Sequence, residues 1–207
     1  GLSGAPASAY LIEFFSADNL YIPFPAVMIN HRGERHLNTV HAYNRVLNDV
    51  FEDDAINSTH VSEASIDVAH GADDDTFVML TAGLQPCRGQ LSFELTSGQA
   101  KLDAHVDVTV PRLCHQKHLL SSYFPDHAGG VLKIAQPPQF MFYGRLLCGV
   151  MRKDGAFTAN HSYYDSSPHP EYWDDDSPSF RLYPYLPGLR NTVRMYPIMS
   201  PGTLDIT

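Results

Sequence analysis

Cysteine is scarce in this sequence. Three cysteines, Cys87, Cys114 and Cys148, are spread over 207 residues and form no CxxC pair. An odd number at wide spacing disfavours a disulfide framework, and the missing CxxC pairs disfavour a zinc site built from thiolates. We therefore expect three free thiols in a reducing compartment, which favours a cytoplasmic location.

Long apolar runs and positive charge are also scarce. No run approaches the roughly 20 apolar residues that a helix needs to span a bilayer. The opening "GLSGAPASAYLIEFF" lacks the basic and long apolar regions of a signal peptide, which still leaves room for a leader removed upstream of Gly1. A net charge of −9 without a basic stripe disfavours nucleic acids and anionic membranes as partners.

The signatures of several enzyme classes are missing. The sequence contains no GxSxG, no P-loop, no dinucleotide-binding fingerprint and no HExxH. These absences favour a protein without catalytic activity, although carboxylates that only the fold brings together are invisible at this level.

What the sequence does contain is a repeated two-residue rhythm. Hydrophobic residues make up 43% of the chain, enough for a packed core. Residues 101–110, "KLDAHVDVTV", alternate apolar and polar side chains, and residues 89–97, "GQLSFELTS", do the same. This period predicts two strands with one face on a core, and Ser97-Gly98 between them predicts a hairpin.

Other segments extend the strand pattern. We predict strands in "SEASIDVA", in "DDDTFVMLTAG" and at 130–135 and 139–151, and a further hairpin around residues 32–35. Pro137-Pro138 separates two of these strands, because proline cannot sit inside a central ladder. About six to nine short strands indicate an all-β fold, an antiparallel β-sandwich of immunoglobulin-like or jelly-roll-like type.

The composition changes near residue 166. Pro, Asp, Tyr and Ser dominate from there and the periodicity fades. We therefore assign residues 1–165 to the sandwich and residues 166–207 to a long irregular C-terminal excursion that packs on it, with one further strand near the end.

One block resembles a known family. Residues 108–147, "VTVPRLCHQKHLLSSYFPDHAGGVLKIAQPPQFMFYGRLL", contain a strand ending in Val-Pro, a short polar stretch, a Gly-Gly that opens the next strand and a proline-led apolar strand. This order is similar to the small β-sandwich of the sensory-rhodopsin-transducer family and of immunoglobulin-like accessory domains. The resemblance implies a sandwich that assembles through its sheets and binds partners, and it transfers no functional residue.

Histidine is abundant, with eleven residues. If residues 32–35 form the loop of a hairpin, His31 and His36 face each other, and opposed Cβ atoms ~4.5–5.5 Å apart can share a metal ion. We name His31, His36 and His161 as candidate metal ligands, with a divalent ion as the cofactor that they imply. We favour a polar hairpin tip without a metal ion, because two imidazoles without a third ligand make a weak site. His115 and His118 lie side by side if 115–124 forms a helical turn.

The stretch "NHSYYDSSPHPEYWDDDSP", residues 160–178, concentrates aromatic rings and carboxylates. Tyrosine rings can stack on a sugar, and neighbouring Asp or Asn side chains can hold its hydroxyls. The candidate ligand-binding residues are Tyr163, Tyr164, Asp165, Tyr172 and Trp173. We favour a proline-rich loop whose rings pack back onto the sandwich, and ligand binding is the alternative.

Two classes of function follow. The favoured one is a non-catalytic sandwich that binds a protein partner or small molecule, with homo-oligomers expected because "FMFYGRLL" is apolar on both faces and needs a cover. The alternatives are a metal-dependent enzyme or metal-binding protein that uses the histidines, and a carbohydrate-binding module.

Overall fold

The computed structural model describes residues 17–18, 27–34, 36–42, 62–68, 71–82, 86–127, 129–137, 146–161 and 187–188, with the backbone alone at 27, 41–42, 62–65 and 161. None of the helical structure in these ranges is long and apolar enough to cross a membrane. The strands are β1 Val27–Arg32, β2 Leu37–Ala42, β3 Ser62–Val68, β4 Asp74–Thr81, β5 Cys87–Ser97, β6 Ala100–Val110, β7 His115–Leu119, β8 Gly130–Gln136, β9 Leu146–Arg152 and β10 Phe157–His161.

These strands form three antiparallel sheets. Sheet I has the order β10-β9-β4-β7, sheet II has the order β3-β8-β5-β6, and β1 and β2 form a separate two-stranded hairpin. One apolar cluster draws its members from both four-stranded sheets, so sheets I and II pack face to face. The prediction of an all-β, antiparallel sandwich is confirmed. The proposed division at residue 166 lies outside the described residues.

Side-chain alternation positions the core. Most side chains of the shared apolar cluster come from alternate positions of β4 and β9 in sheet I and of β5 and β8 in sheet II, because successive side chains of a strand point to opposite faces. Phe77 is buried on the opposite face of β4 and lies outside this cluster. The most deeply buried members, each at most 1% exposed, are Val78, Leu80, Leu146, Leu91, Phe93, Leu95, Leu132 and Ile134. At roughly 1.5–3 kcal/mol for each large apolar side chain, this cluster is the main source of stability.

The predicted hairpin of β5 and β6 is confirmed. Ser97 pairs with Ala100, so Gly98 and Gln99 form a two-residue turn. Gly98 has a φ of 60°, a conformation that glycine adopts at low cost and that such tight turns require. Val108 and Val110 are buried as expected, whereas Leu102 is 41% exposed, because β6 is the outermost strand of its sheet.

The predicted helical turn at 115–124 is partly wrong. Residues His115–Leu119 form strand β7, and only Leu120–Ser122 form a 3₁₀ turn. The ladder between β7 and β4 aligns His118 with Val78 and His115 with Thr81, and these tertiary hydrogen bonds override the local sequence. An offset of three on a strand points His115 and His118 to opposite faces, so they do not form the predicted pair.

The hairpin of β1 and β2 packs against the edge of sheet I. β2 lies beside β10, which is an outer strand of that sheet. The contact is made by one face of the hairpin, which carries His31, Asn38 and the buried Val40. The opposite face of the hairpin carries Met28 and Leu37, which are exposed.

A substitution at Gly149 on β9 tests how closely β9 and β10 approach each other. A Cβ at this position would overlap the carbonyl oxygen of Thr158 and lie 2.8 Å from the Cα of Ala159. We expect Gly149→Ala to lower the free energy of unfolding by about 1–3 kcal/mol, because a methyl group forced into a packed site displaces the backbone of β10. Urea denaturation measures the change.

Gly71→Ala is the matched control. Its added Cβ would meet only Asp74, at 3.4 Å or more, and Gly71 is exposed. An equal loss of stability in both variants would contradict the close approach of β9 and β10.

Candidate functional site

The register of the β1–β2 hairpin shows whether His31 and His36 face each other, as the sequence predicts. Arg32 pairs with Leu37 and His31 pairs with Asn38. His36 therefore belongs to the loop and has no partner position on β1. The predicted pairing of His31 with His36 across the hairpin is wrong, because the loop begins one residue later than expected.

Both histidines nevertheless contact the same ring. The ring centroids of His31 and Phe157 are 5.4 Å apart and those of His36 and Phe157 are 5.2 Å apart, each in edge-to-face geometry. Phe157 lies 6.5 Å from Phe77, also edge-to-face, and Phe77 is 2% exposed. The imidazole of His36 fills the space that a Cβ at Gly33 would occupy. We call His31, His36, Phe77 and Phe157 the hairpin aromatic cluster.

Asn38 joins the hairpin to sheet I by a second means. Its side-chain Nδ2 donates to the carbonyl oxygen of Ala159, and its Oδ1 accepts from the backbone N–H of Ala159, both at 3.2 Å. The amide thus takes the place that the backbone of a neighbouring strand would take along β10. An outer strand with free backbone groups is open to unwanted pairing, and Asn38 occupies this edge at Ala159.

The hairpin aromatic cluster does not by itself make a metal site. The described ranges contain no group of three or more His, Cys, Asp or Glu side chains that could hold an ion. The backbone of His161 lies four residues beyond Phe157 on β10, a distance of about 13 Å along a strand. The side chain of His161 lies outside the described residues, so the site of His31, His36 and His161 stays a prediction.

The predicted ligand-binding residues follow β10 in the chain. β10 ends at His161, and the candidates lie outside the described residues. They are Tyr163, Tyr164, Asp165, Tyr172 and Trp173. Their role as a sugar platform or as a loop packed on the sandwich stays a prediction.

His118, which the sequence singled out only as a neighbour of His115 on a helical turn, is a buried histidine in the core. His118 is 5% exposed, and its Nδ1 is 2.6 Å from the hydroxyl oxygen of Tyr123. The ring of Phe93 lies 5.0 Å from that of Tyr123 and 6.1 Å from that of His118. Among the described residues, Nε2 of His118 has no hydrogen-bond partner. Little of this imidazole is open to a ligand.

The segment that carries Tyr123 is attached to sheet I. The carboxylate of Asp75 on β4 accepts a hydrogen bond from the backbone N–H of Ser121 at 3.2 Å and another from the Ser121 hydroxyl. Burial lowers the pKa of His118 from its ordinary value of 6.5 and raises the pKa of Tyr123 from 10.0. Both shifts favour the neutral pair, which suits a structural hydrogen bond inside an apolar core.

The cysteines are free thiols, as predicted. Cys87 and Cys148 are buried, and this burial raises the pKa of the Cys87 thiol to about 11 and that of Cys148 to about 12. Thiols with pKa values this high stay protonated at neutral pH, and the thiolate is the reactive form. Cys87 and Cys148 therefore serve as packing groups in the core.

The outer face of the hairpin carries the two most exposed large hydrophobic side chains in the described part of the chain. Met28 is 61% exposed and Leu37 is 65% exposed, and the exposed Arg32 pairs directly with Leu37 in the ladder. Asn30 on the same face accepts a hydrogen bond of 2.7 Å from Thr39. A shallow depression at the hairpin tip is lined by Asn30, Arg32, Gly33, Glu34, His36 and Leu37.

Sequence reasoning identified the hairpin but not the difference between its two faces. Leu37 lies between polar residues, which is the signal of a two-faced strand, but Met28 lies between Val27 and Ile29 and gives no such signal. The pattern could not show which face sheet I covers.

Comparison of the chain with protein-family models, curated proteins and solved structures found no match. The resemblance of residues 108–147 to the sensory-rhodopsin-transducer family therefore stays an expectation.

The two hydrogen bonds between the Asn38 amide and the backbone of Ala159, which we call the Asn38 bridge, lead to a prediction about the docking of the hairpin. We expect Asn38→Ala to remove both hydrogen bonds to Ala159 and to weaken docking by about 1–3 kcal/mol, since each bond contributes roughly 0.5–1.5 kcal/mol. Hydrogen exchange of the Ala159 amide should become faster. Asn30→Ala is the control, because it removes an exposed hydrogen bond on the opposite face; equal exchange at Ala159 in both variants would contradict the bridge.

Burial of His118 leads to a prediction about pH. Because the folded state holds the pKa of this imidazole below 6.5, the unfolded state binds more protons as the pH falls below that value. The stability that neutral His118 contributes is thus present above pH ~6.5 and is lost as the pH falls toward the folded pKa. Urea denaturation at about pH 7.5 and about pH 5.5 measures the loss.

Replacement of His118 and Tyr123 should reduce the pH dependence of the free energy of unfolding. We expect His118→Phe combined with Tyr123→Phe to lose less stability than the wild type between the two pH values, since no buried imidazole remains to titrate. His115→Gln on the same strand is the control, because it leaves His118 in place. An unchanged pH dependence in the double variant would exclude His118 as its source.

Proposed function

We propose that this protein binds a protein partner through the outer face of the β1–β2 hairpin and has no catalytic activity of its own. The observation that carries the proposal is that Met28 and Leu37, the two most exposed large apolar side chains of the described residues, share one face of the hairpin, where Leu37 lies directly opposite Arg32. Single exposed apolar side chains are common, whereas two that share one face and are surrounded by polar groups can contribute to the same protein interface.

The charge of the hairpin favours an acidic partner. Residues 27–42 contain Arg32 and Arg35 and one acidic residue, Glu34, whereas the whole chain has a net charge of −9. This segment is thus locally basic on an acidic protein. Complementary charge steers partners together and fixes their orientation, so the chemistry predicts a surface with exposed apolar groups and carboxylates.

The hairpin also has the rigidity that a binding surface needs. The Asn38 bridge and the edge-to-face contacts of His31 and His36 with Phe157 hold its inner face on sheet I. A surface that is already ordered loses less conformational entropy when a partner binds. The inner face therefore supplies the anchor and the outer face supplies the contact.

Comparative retention on immobilised protein tests the proposal. We expect at least one acidic protein from the source cell to bind the wild type and to be retained at least about tenfold less by Leu37→Ser and by Arg32→Glu. Retention should fall as salt is raised, because the steering charges are exposed. Quantitative mass spectrometry of the eluted proteins gives the measurement.

Val131→Ser is the matched control, since Val131 is an exposed apolar residue, at 37%, on β8 of sheet II. It should retain the same protein as the wild type. All variants should keep the wild-type Tm, because the altered side chains are exposed. A protein set that is identical for the wild type, the hairpin variants and the control would refute the hairpin as the binding surface.

A further inference from the structure

The edge of sheet II is formed by a long strand. β6 spans eleven residues, Ala100–Val110, and within the described ranges it pairs with β5 and with no other strand. The outer strand β10 of sheet I, by contrast, is bridged by Asn38. A long outer strand presents a row of backbone N–H and C=O groups that can pair with another strand.

The side chains on the outer face of β6 are exposed, and those on its other face are apolar. Lys101, Asp103, His105 and Asp107 share the outer face of the strand, and all four are exposed. The other face carries Leu102, which is 41% exposed. Within the described residues, no ion pair or hydrogen bond involves the carboxylate of Asp103 or Asp107, while Lys101 forms an exposed ion pair with Glu94 at 3.4 Å.

This pattern is complementary to itself in one antiparallel register. A two-fold axis perpendicular to the sheet keeps equivalent faces together, so residues that meet across the axis must differ by an even number. An axis at Ala104 places Lys101 opposite Asp107 and Asp103 opposite His105, and it does so twice by symmetry. On the other face it places Leu102 opposite Val106. Directly opposed residues of opposite charge, and directly opposed apolar residues, stabilise a strand pair.

Neighbouring registers are less favourable. An axis at His105 places Asp103 opposite Asp107, and an axis at Asp103 places Asp103 opposite its own copy. Opposed like charges destabilise a strand pair.

His105 can contribute in the register centred on Ala104. One nitrogen of its imidazole, Nδ1, lies 2.9 Å from the Ser92 hydroxyl. Its other nitrogen is then free to meet the carboxylate of Asp103 from the second copy.

We propose that β6 pairs antiparallel with β6 of a second copy of this chain around a two-fold axis at Ala104. Four strands of sheet II from each copy then form one continuous sheet of eight strands. The charged side chains along β6 select this register instead of simply blocking contact. The dimer uses sheet II, whereas the proposed partner surface lies on the hairpin beside sheet I, so the two proposals are independent.

A charge exchange tests the register. We expect sedimentation analysis of the wild type to give a dimer of 46.0 kDa, twice the 23.0 kDa of one chain. Lys101→Asp alone and Asp107→Lys alone should each weaken the dimer at least about tenfold, because each places like charges opposite each other. The two substitutions together restore opposite charges and should return the dissociation constant to within about threefold of the wild type.

Lys117→Asp is the matched control, because Lys117 is an exposed lysine on β7, the edge of the other sheet. It should leave the dimer unchanged, as should Leu37→Ser on the hairpin. A wild type that stays at 23.0 kDa up to millimolar concentration overturns the proposal. A dimer that is insensitive to the single substitutions, or that the combined substitution fails to restore, overturns it as well.

Cross-linking gives an independent readout that does not rely on charge. Two Cβ atoms that face each other across an antiparallel pair lie about 4.5–5.5 Å apart, close to the separation that a disulfide spans. Cys114 is half-buried, so the test uses a Cys114→Ser background in which Cys87 and Cys148 are the remaining, buried thiols. Under mild oxidation, Ala104→Cys in this background should form a covalent dimer that the background alone does not form. Thr109→Cys should not cross-link, because its counterpart in this register is Gln99. Equal cross-linking at both positions, or at neither, contradicts an axis at Ala104.

Discussion

Apolar packing between sheets I and II is the interaction on which the rest of this structure depends. A strand can bury one face only if another element covers it, and here each four-stranded sheet covers the other. The shared cluster includes Phe93 and Leu80, which are 1% and 0% exposed. Because this packing holds the strands in place, the positions of polar groups at its margin are determined by register. His118 is an example, since the alignment of β7 with β4 brings its imidazole to the core side, where Tyr123 provides the hydrogen bond.

A sandwich of two open sheets has outer strands, and the contacts of β10 in sheet I differ from those of β6 in sheet II. On β10, the side-chain amide of Asn38 bonds both backbone groups of Ala159, and rings from the hairpin pack on Phe157. On β6, the exposed edge carries alternating charge. In both cases the backbone groups on the open side of an outer strand need a hydrogen-bond partner. The first uses the chain itself, and the proposed dimer would use a second copy.

The hairpin of β1 and β2 connects fold and proposed function. One face carries His31, Asn38 and the buried Val40 and contacts sheet I, while the other exposes Met28 and Leu37. A two-stranded hairpin is marginally stable alone in water, so its attachment through Asn38 and the hairpin aromatic cluster allows an apolar face to remain ordered in solvent. The same attachment explains why His31 and His36 contact Phe157 as packing groups.

Local patterning determined much of the fold of this protein. The two-residue period of 89–97 and 101–110, with Gly98 between them, was sufficient to predict β5, β6 and their turn, because alternation and turn chemistry act over a few residues. The wide cysteine spacing likewise predicted free thiols. Only the tertiary structure decided that 115–119 is a strand, because its ladder to β4 is a long-range interaction that the local sequence does not encode. It also decided the hairpin register that separates His31 from His36, the pairing of Asn38 with Ala159, and which face of β1 and β2 meets solvent. Each of these depends on which segments meet in space, and short-range periodicity carries no information about that.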